Sequence, residues 1–183
     1  MLSKCRGVVW TLIITWLDLN LPICHTLESE VLERCVGHLQ GTAHPIDGKN
    51  NHTVLSTHRG LPQAELFTNL DKMETGDEFY IHIFDRTMAY KVDQIKVVET
   101  DNTKYLKPEK GKDYITLLTC TPYGINSHMR LVRGLRTEYV EESIRYTPVK
   151  IIKWEVYLTA AAEMLLLILV IRAYRRKKRR KTE

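Results

Sequence analysis

The chain has 183 residues, of which 44% are hydrophobic and 27% are charged. This is enough for one folded domain with short extensions, and it excludes a disordered or repetitive protein. The net charge of +5 is unevenly spread, because segment 172–181 alone carries eight basic side chains and leaves the rest slightly acidic. The basic balance therefore does not indicate that the folded part binds nucleic acid.

The N-terminal segment, 1–17, is atypical and apolar. Its run from Gly7 to Leu17 follows Lys4 and Arg6, and has the length of the hydrophobic part of a signal peptide. No small-x-small cleavage site follows it. The run is also rich in β-branched and aromatic residues, which suit a core strand. Periodicity does not separate these two interpretations.

Between residues 18 and 148 the signals are mostly those of β-structure. Runs of β-branched and aromatic residues between turn residues predict strands at 53–57, 78–84, 88–92, 95–98, 114–119 and 130–133. Two stretches, 28–37 and 63–70, have helical spacing instead. Several short strands with only short helices favour a closed or sandwiched all-β domain.

The C-terminal part predicts a transmembrane helix over 153–173. Its apolar stretch is close to the ~20 residues that a span needs, and Trp154 and Tyr157 lie where interfacial aromatic residues are expected. The basic tail, 174–183, follows, so the positive-inside rule places it in the cytoplasm and the preceding domain outside the cell membrane. Glu163 is unfavourable inside a span, and the alternative is an amphipathic helix packed on the domain.

Two residues at strand ends are candidates for chemistry. Cys120 follows the apolar strand 114–119 and precedes a Thr-Pro-Tyr-Gly turn, where a thiol can reach a substrate. The alternative is a buried, inert thiol. None of the four cysteines has metal-ligand spacing, and their irregular placement does not indicate a disulfide framework.

His58 also leaves a strand, just before Gly60. An adjacent imidazole is the usual device that activates a cysteine, and an arginine can stabilise a developing oxyanion. The arginines near these two segments are Arg59, Arg130, Arg133 and Arg136.

Two segments resemble the class C sortases. Residues 116–126, Thr-Leu-Leu-Thr-Cys-Thr-Pro-Tyr-Gly-Ile-Asn, continue through 131–134 in a manner similar to the family's cysteine signature, and 53–71 resembles its histidine segment. Shorter similarities extend the resemblance over 18–139, at 21–25, 37–42, 90–95 and 113–116. The resemblance implies a mainly β, eight-stranded sortase barrel with short helices over 18–148, followed by the C-terminal transmembrane helix.

The resemblance also implies a reaction. Cys120 would attack a Leu-Pro-x-Thr-Gly-like sorting signal between Thr and Gly and form a thioester, while His58 would protonate the leaving amine and deprotonate the incoming one. The acceptor in class C is a lysine amine of a pilin, so the product is a covalent pilus. The implied partners are a sorting signal, an acceptor pilin and the membrane; no cofactor, metal or nucleic acid is implied.

The chain departs from the family at its arginine. Met129 occupies the family's arginine position, and Arg130 follows one residue later. Successive side chains of a strand point to opposite faces, so Arg130 would need a β-bulge to reach the site. We predict that Arg130 is the functional arginine and that Arg133 is structural.

The N-terminus departs as well. Segment 1–17 does not resemble the family, whose members carry an N-terminal span and a lid loop, so a truncated or frame-shifted start is expected. The first barrel strand would then come from 8–17. Two alternatives to a pilin polymerase are an inactive sortase-like domain that binds sorting signals and a housekeeping sortase that uses a cell-wall amine. A papain-like hydrolase is disfavoured because its signatures are missing.

Overall fold

The computed structural model describes residues 10–46, 48–60 and 64–140. Eight strands in these residues form a closed barrel in the order β1-β2-β3-β4-β7-β8-β6-β5. The strands are β1 (Trp10–Ile14), β2 (Leu19–Cys24), β3 (Val36–His38), β4 (Asn51–Ser56), β5 (Glu78–Ile83), β6 (Arg86–Glu99), β7 (Asp113–Thr121) and β8 (His128–Thr137). The mainly β, eight-stranded barrel implied by the resemblance is confirmed.

Strand β7 is buried on both faces. Ile115 and Leu117 point into the barrel, where they join the main core. Leu118 belongs to a second apolar cluster with Val54 and Leu131. Because strand residues alternate between faces, this second cluster lies on the outer side of the same strands. Double burial explains why apolar residues in β7 do not alternate regularly with polar ones.

The N-terminal segment supplies a barrel strand. β1 pairs with β2 on one side and with β5 on the other, which closes the barrel. Leu12 and Ile14 are fully buried in its core. For the described residues of segment 1–17, the core-strand interpretation is therefore right, and the barrel begins before residue 18.

The helical predictions were too long. Stretch 28–37 forms only the short helix α1 (Ser29–Leu32) and then enters β3. At Gly37, on β3, the chain passes so close to Leu27 and Leu32 that a Cβ would collide with both side chains. The described part of 63–70 forms turns, with a 3₁₀ turn at Leu70–Lys72. Its apolar residues Leu66, Phe67 and Leu70 are buried without a regular helix.

The predicted strands 88–92 and 95–98 are one strand, β6. Its pairing with β8 shifts between Val92 and Gln94. Asp93 is the extra residue of this β-bulge, and its carboxylate accepts hydrogen bonds from Arg133. A polar residue in the middle of the run thus marks a bulge and not a turn.

The described cysteines differ in their pairing. Cys24 is part of a disulfide, which the irregular cysteine spacing did not indicate. Cys35 and Cys120 are not part of a disulfide. No helix among the described residues is long and apolar enough to cross a membrane. The predicted span, 153–173, and the basic tail, 174–183, lie outside the described residues.

Candidate active site

Cys120 lies near the end of β7 and is only partly buried. It shares a strand face with Leu118, so its side chain belongs to the outer side of the barrel wall. The thiol of Cys35 is 2% exposed, and burial raises its pKa. Cys120, and not Cys35, is therefore the thiol that a substrate can reach.

His58 leaves β4 beside Cys120. β4 and β7 run parallel, with Ser56 opposite Leu118. The pairing continues beyond the strand, because Thr57 N donates to Leu118 O at 3.4 Å and Thr119 Oγ1 donates to Thr57 O at 3.0 Å. Continuing the register two residues beyond Ser56 and Leu118 places His58 next to Cys120, and His58 is exposed. The fold thus brings the predicted thiol and imidazole to one edge of the barrel.

Two contacts join the segments that follow His58 and Cys120. Tyr123 Oη donates to Gly60 O at 3.0 Å, and Arg59 Nη1 donates to Thr121 Oγ1 at 3.5 Å. Gly60 has a φ of +73°, and a Cβ there would collide with the ring of Tyr123. These contacts fix the two loops relative to each other, and we call them the loop clamp.

Met129 is the direct partner of Cys120 on the other side. In the antiparallel β7–β8 pair, Cys120 lies opposite Met129, and directly paired residues project from the same face. Met129 packs against the outer apolar cluster around Leu118 and Leu131. Cys120 is therefore flanked by an imidazole on the β4 side and by an apolar side chain on the β8 side.

The register does not bring Arg130 to the face of Cys120. Arg130 pairs with Thr119, whose side chain is buried on the inner side of β7. The β7–β8 pairing runs without a shift from Tyr114–Leu135 to Thr121–His128, so the β-bulge that would have turned Arg130 around is not present there. Its guanidinium instead donates to the backbone oxygen of Asp71, at 3.0 Å.

Sequence reasoning missed Asp71. Its carboxylate pairs with Arg59 at 3.2 Å, and its backbone oxygen accepts from Arg130. Both arginines also have a buried Nε without a hydrogen-bond partner. The signal was present, since Asp71 ends the segment 65–71 that resembles the family's histidine segment. Asp71 is therefore a common partner of Arg59 and Arg130.

The remaining arginine candidates are engaged elsewhere. Arg133 forms ion pairs with Asp93 at 2.7 Å and with Glu109 at 3.1 Å. Its guanidinium also lies 4.1 Å from the ring centroid of Tyr114, and these acidic partners raise the pKa of Arg133. The guanidinium of Arg136 stands 5.5 Å from the ring centroid of Tyr90.

The barrel and its thiol correspond to a known family. The sequence model of the Sortase domain matches residues 12–136 of this chain. The chain belongs to the sortase family. It is similar to the crystal structure of Streptococcus agalactiae sortase C1, with 50% identity and a TM-score of 0.71, over 74% of this chain and 70% of that one.

Two curated sortases are also similar. Sortase D of Bacillus subtilis is 28% identical over 58% of this chain, and sortase SrtE1 of Streptomyces coelicolor is 34% identical over 67% of it. The matched part of this chain spans 51% of the length of the first relative and 38% of the second. Family membership and fold follow from these matches, together with a likeness to class C sortases.

Proposed function

We propose that this sortase-family chain is a cysteine transpeptidase that cleaves a sorting signal. The observation that carries the proposal is the placement of Cys120, a partly exposed thiol beside the exposed His58. A thiol needs a base to become a good nucleophile, and imidazole serves this purpose in cysteine enzymes.

The reaction proceeds in two halves. The Cys120 thiolate attacks the threonine carbonyl of a Leu-Pro-x-Thr-Gly signal and forms a tetrahedral intermediate. Its collapse breaks the Thr–Gly bond, and the imidazolium of His58 protonates the departing glycine amine. An acceptor amine then loses a proton to His58 and attacks the thioester, which transfers the acyl group and releases the thiolate.

In this proposal Arg130 does not touch the substrate, and the reaction does not depend on it. Its position opposite Thr119 and its bond to Asp71 O support the assignment. The residue opposite the thiol, Met129, offers no charge to a developing oxyanion. The acylation step therefore lacks one electrostatic contribution that a guanidinium would supply at that position.

The acceptor in this proposal is a lysine amine of a pilin, and the product is a covalent pilus. The likeness to sortase C1 and the Thr121-Pro-Tyr-Gly-Ile-Asn126 segment support this choice. The predicted C-terminal span would hold the barrel on the outer face of the cell membrane. A housekeeping sortase would differ only in the acceptor, a cell-wall amine.

A second candidate function has an observation in its favour. Because Met129 replaces the charged group opposite Cys120, the domain would bind sorting signals without processing them. Binding without turnover distinguishes this inactive form from the transpeptidase.

The experiment incubates the full chain, in detergent, with a Leu-Pro-x-Thr-Gly peptide and follows it by mass spectrometry. An acyl adduct on Cys120 that disappears in Cys120→Ala and persists in Cys35→Ala would support the transpeptidase. Competition between a lysine-containing pilin peptide and a cell-wall amine then identifies the acceptor. Peptide binding without an adduct would support the inactive form.

A further inference from the structure

Three histidines from different parts of the fold meet at one place. His25 follows β2, His38 ends β3, and His44 lies in the loop that leads into β4. One side-chain nitrogen from each of them lies within 4.8 Å of those of the other two. The ring centroids of His38 and His44 are 4.9 Å apart. The sequence does not predict this cluster, because the three positions follow no recognised ligand spacing.

Hydrogen bonds through one ring nitrogen hold the side chain of His38 in place. It is 4% exposed, and its Nε2 lies 2.9 Å from Ala43 O and 3.1 Å from Thr42 Oγ1. The Thr42 hydroxyl donates to Leu39 O, so it accepts from the ring. Nε2 therefore carries the hydrogen, and Nδ1 keeps its lone pair. Metal-bound histidines are held in this manner, with the second ring nitrogen donating to a carbonyl.

The loop that carries His44 is fixed by its backbone. Asn51 Nδ2 donates to His44 O at 3.2 Å, and Ala43 N donates to His52 O at 3.2 Å. On the other side Trp10 contacts His25, with ring centroids 4.6 Å apart. The backbone around His44 is thus held, and the rings of His25 and His44 are exposed.

Burial does not explain why these rings gather. His25 and His44 are exposed, so they fill no core. No carboxylate belongs to the cluster that the described residues form. An all-nitrogen set disfavours Ca²⁺ and Mg²⁺, which require oxygen ligands, and favours Zn²⁺ and its neighbours.

We propose that His25, His38 and His44 form a binding site for a divalent transition-metal ion, with Zn²⁺ as the expected occupant. Zn–N bonds are about 2.0–2.1 Å long, so the nitrogens must approach each other from their present separation. Rotation of the two exposed rings toward His38 achieves this. Three protein ligands leave a fourth position for water or for a donor from a partner.

A metal ion here would link β2, β3 and the loop before β4. This site lies at the entry to β4, whereas His58 follows the exit from that strand. Occupancy would stabilise the folded state in proportion to the logarithm of zinc concentration. Metal binding by the three histidines is independent of the proposed acyl transfer, because none of the three belongs to the thiol site.

The test measures Zn²⁺ binding to the full chain, purified without a histidine tag, by calorimetry and by the thermal unfolding midpoint. A Cys120→Ala background removes the accessible thiol as a competing ligand. We expect one saturable site, a midpoint that rises with zinc and returns with chelator, and a loss of affinity of about tenfold or more in His25→Asn and in His44→Asn. Both positions are exposed, so these variants should fold.

His82→Asn is the matched control, because His82 lies on β5 and bonds to Thr87. It should bind zinc within about twofold of the parent, since it adds no ligand to the cluster. Zinc binding that is absent, or that is unchanged in His25→Asn and His44→Asn, would overturn the proposal. An equal loss in His82→Asn would overturn it as well, since binding would then be dispersed over surface histidines.

Discussion

Cys120 and Met129 face each other across the β7–β8 ladder, and the next rung pairs Thr119 with Arg130. A guanidinium placed at position 129 would lie on the face of the thiol. We therefore expect Met129→Arg to raise the rate of Cys120 acylation by about 10²–10³-fold, which is the usual effect of one oxyanion donor. The rate would be measured by quenching reactions with a Leu-Pro-x-Thr-Gly peptide at timed intervals and quantifying the acyl adduct on Cys120 by mass spectrometry.

Met129→Leu is the matched control for this change. Leucine alters the side chain but brings neither a charge nor a hydrogen-bond donor, so it should leave the rate within about tenfold of the parent. If Met129→Arg binds the peptide, folds as the parent does and does not accelerate acylation, an electrostatic deficit opposite Cys120 is not what limits the reaction.

Arg130 should be nearly dispensable for the chemistry. Its guanidinium contacts Asp71 O, and its Nε is buried without a partner. Replacing such a group by an apolar side chain changes stability by only about 1 kcal/mol. Arg130→Leu should therefore shift the midpoint of urea unfolding modestly and reduce acylation by less than about threefold, in contrast to the loss expected for an oxyanion donor.

The decisive comparison combines the two positions. In Met129→Arg/Arg130→Leu the guanidinium moves from the inner to the outer face while the arginine count stays the same. This variant should acylate as fast as Met129→Arg alone. A drop to the parent rate would show that Arg130 reaches the substrate despite its register.

How far the sequence predicts this fold depends on whether local or distant contacts decide the structure. The strand at 114–119 could be predicted because β-branched and apolar residues predominate in it and because the run is as short as a strand. Stretch 28–37 has helical spacing, yet only Ser29–Leu32 forms a helix. Cys35 instead packs with Cys24 and Val31 in a small tertiary cluster. Tertiary burial there outweighs local propensity.

At the candidate site, the sequence predicts the direction of a side chain on a strand better than it predicts which distant residues come together. Alternation along a strand indicates that Arg130 points away from Cys120 unless a bulge intervenes, and our prediction that Arg130 is the functional arginine required such a bulge. The β7–β8 pairing shows no shift there, whereas a different bulge lies on β6 at Asp93. The meeting of Asp71 with two arginines, and of three histidines from separate loops, depends on chain packing that no local pattern encodes.

The loop clamp makes Gly60 sensitive to substitution. Gly60→Ala adds a Cβ that collides with Tyr123 and places alanine at φ +73°, which costs about 1–2 kcal/mol. Displacing Tyr123 would disturb the loop that follows Cys120, so acylation should fall by about tenfold or more, as expected when a reacting group is misplaced. Peptide kinetics and thermal unfolding of the same samples would separate the two effects.

Gly41→Ala controls for backbone strain alone. Gly41 has a φ of +84°, and a Cβ there would meet nothing within 4 Å. Gly41→Ala should therefore lose about as much stability to backbone strain as Gly60→Ala does, while its rate of Cys120 acylation stays that of the parent. If Gly60→Ala is no slower than Gly41→Ala, the contact between Gly60 and Tyr123 does not position the thiol.

His52 should make the barrel less stable in acid. The ring is 2% exposed and lies 2.9 Å from Lys107 O through Nδ1 and 2.8 Å from Thr116 Oγ1 through Nε2. Burial, with a smaller contribution from Arg133, lowers the pKa of His52 below its ordinary value. The unfolded chain then binds more protons than the folded one, so stability is complete above about pH 6.5 and falls as the pH drops below it.

Urea unfolding of the full chain between about pH 5 and pH 8, in the presence of a chelator, measures this dependence. His52→Gln retains hydrogen-bonding capacity but does not titrate, so it should flatten the fall in unfolding free energy below about pH 6.5. A residual slope should remain, because burial also lowers the pKa of His38. Comparison with His128→Gln, at a partly exposed position on β8, tests specificity: an equal flattening in both variants would show that His52 is not the source.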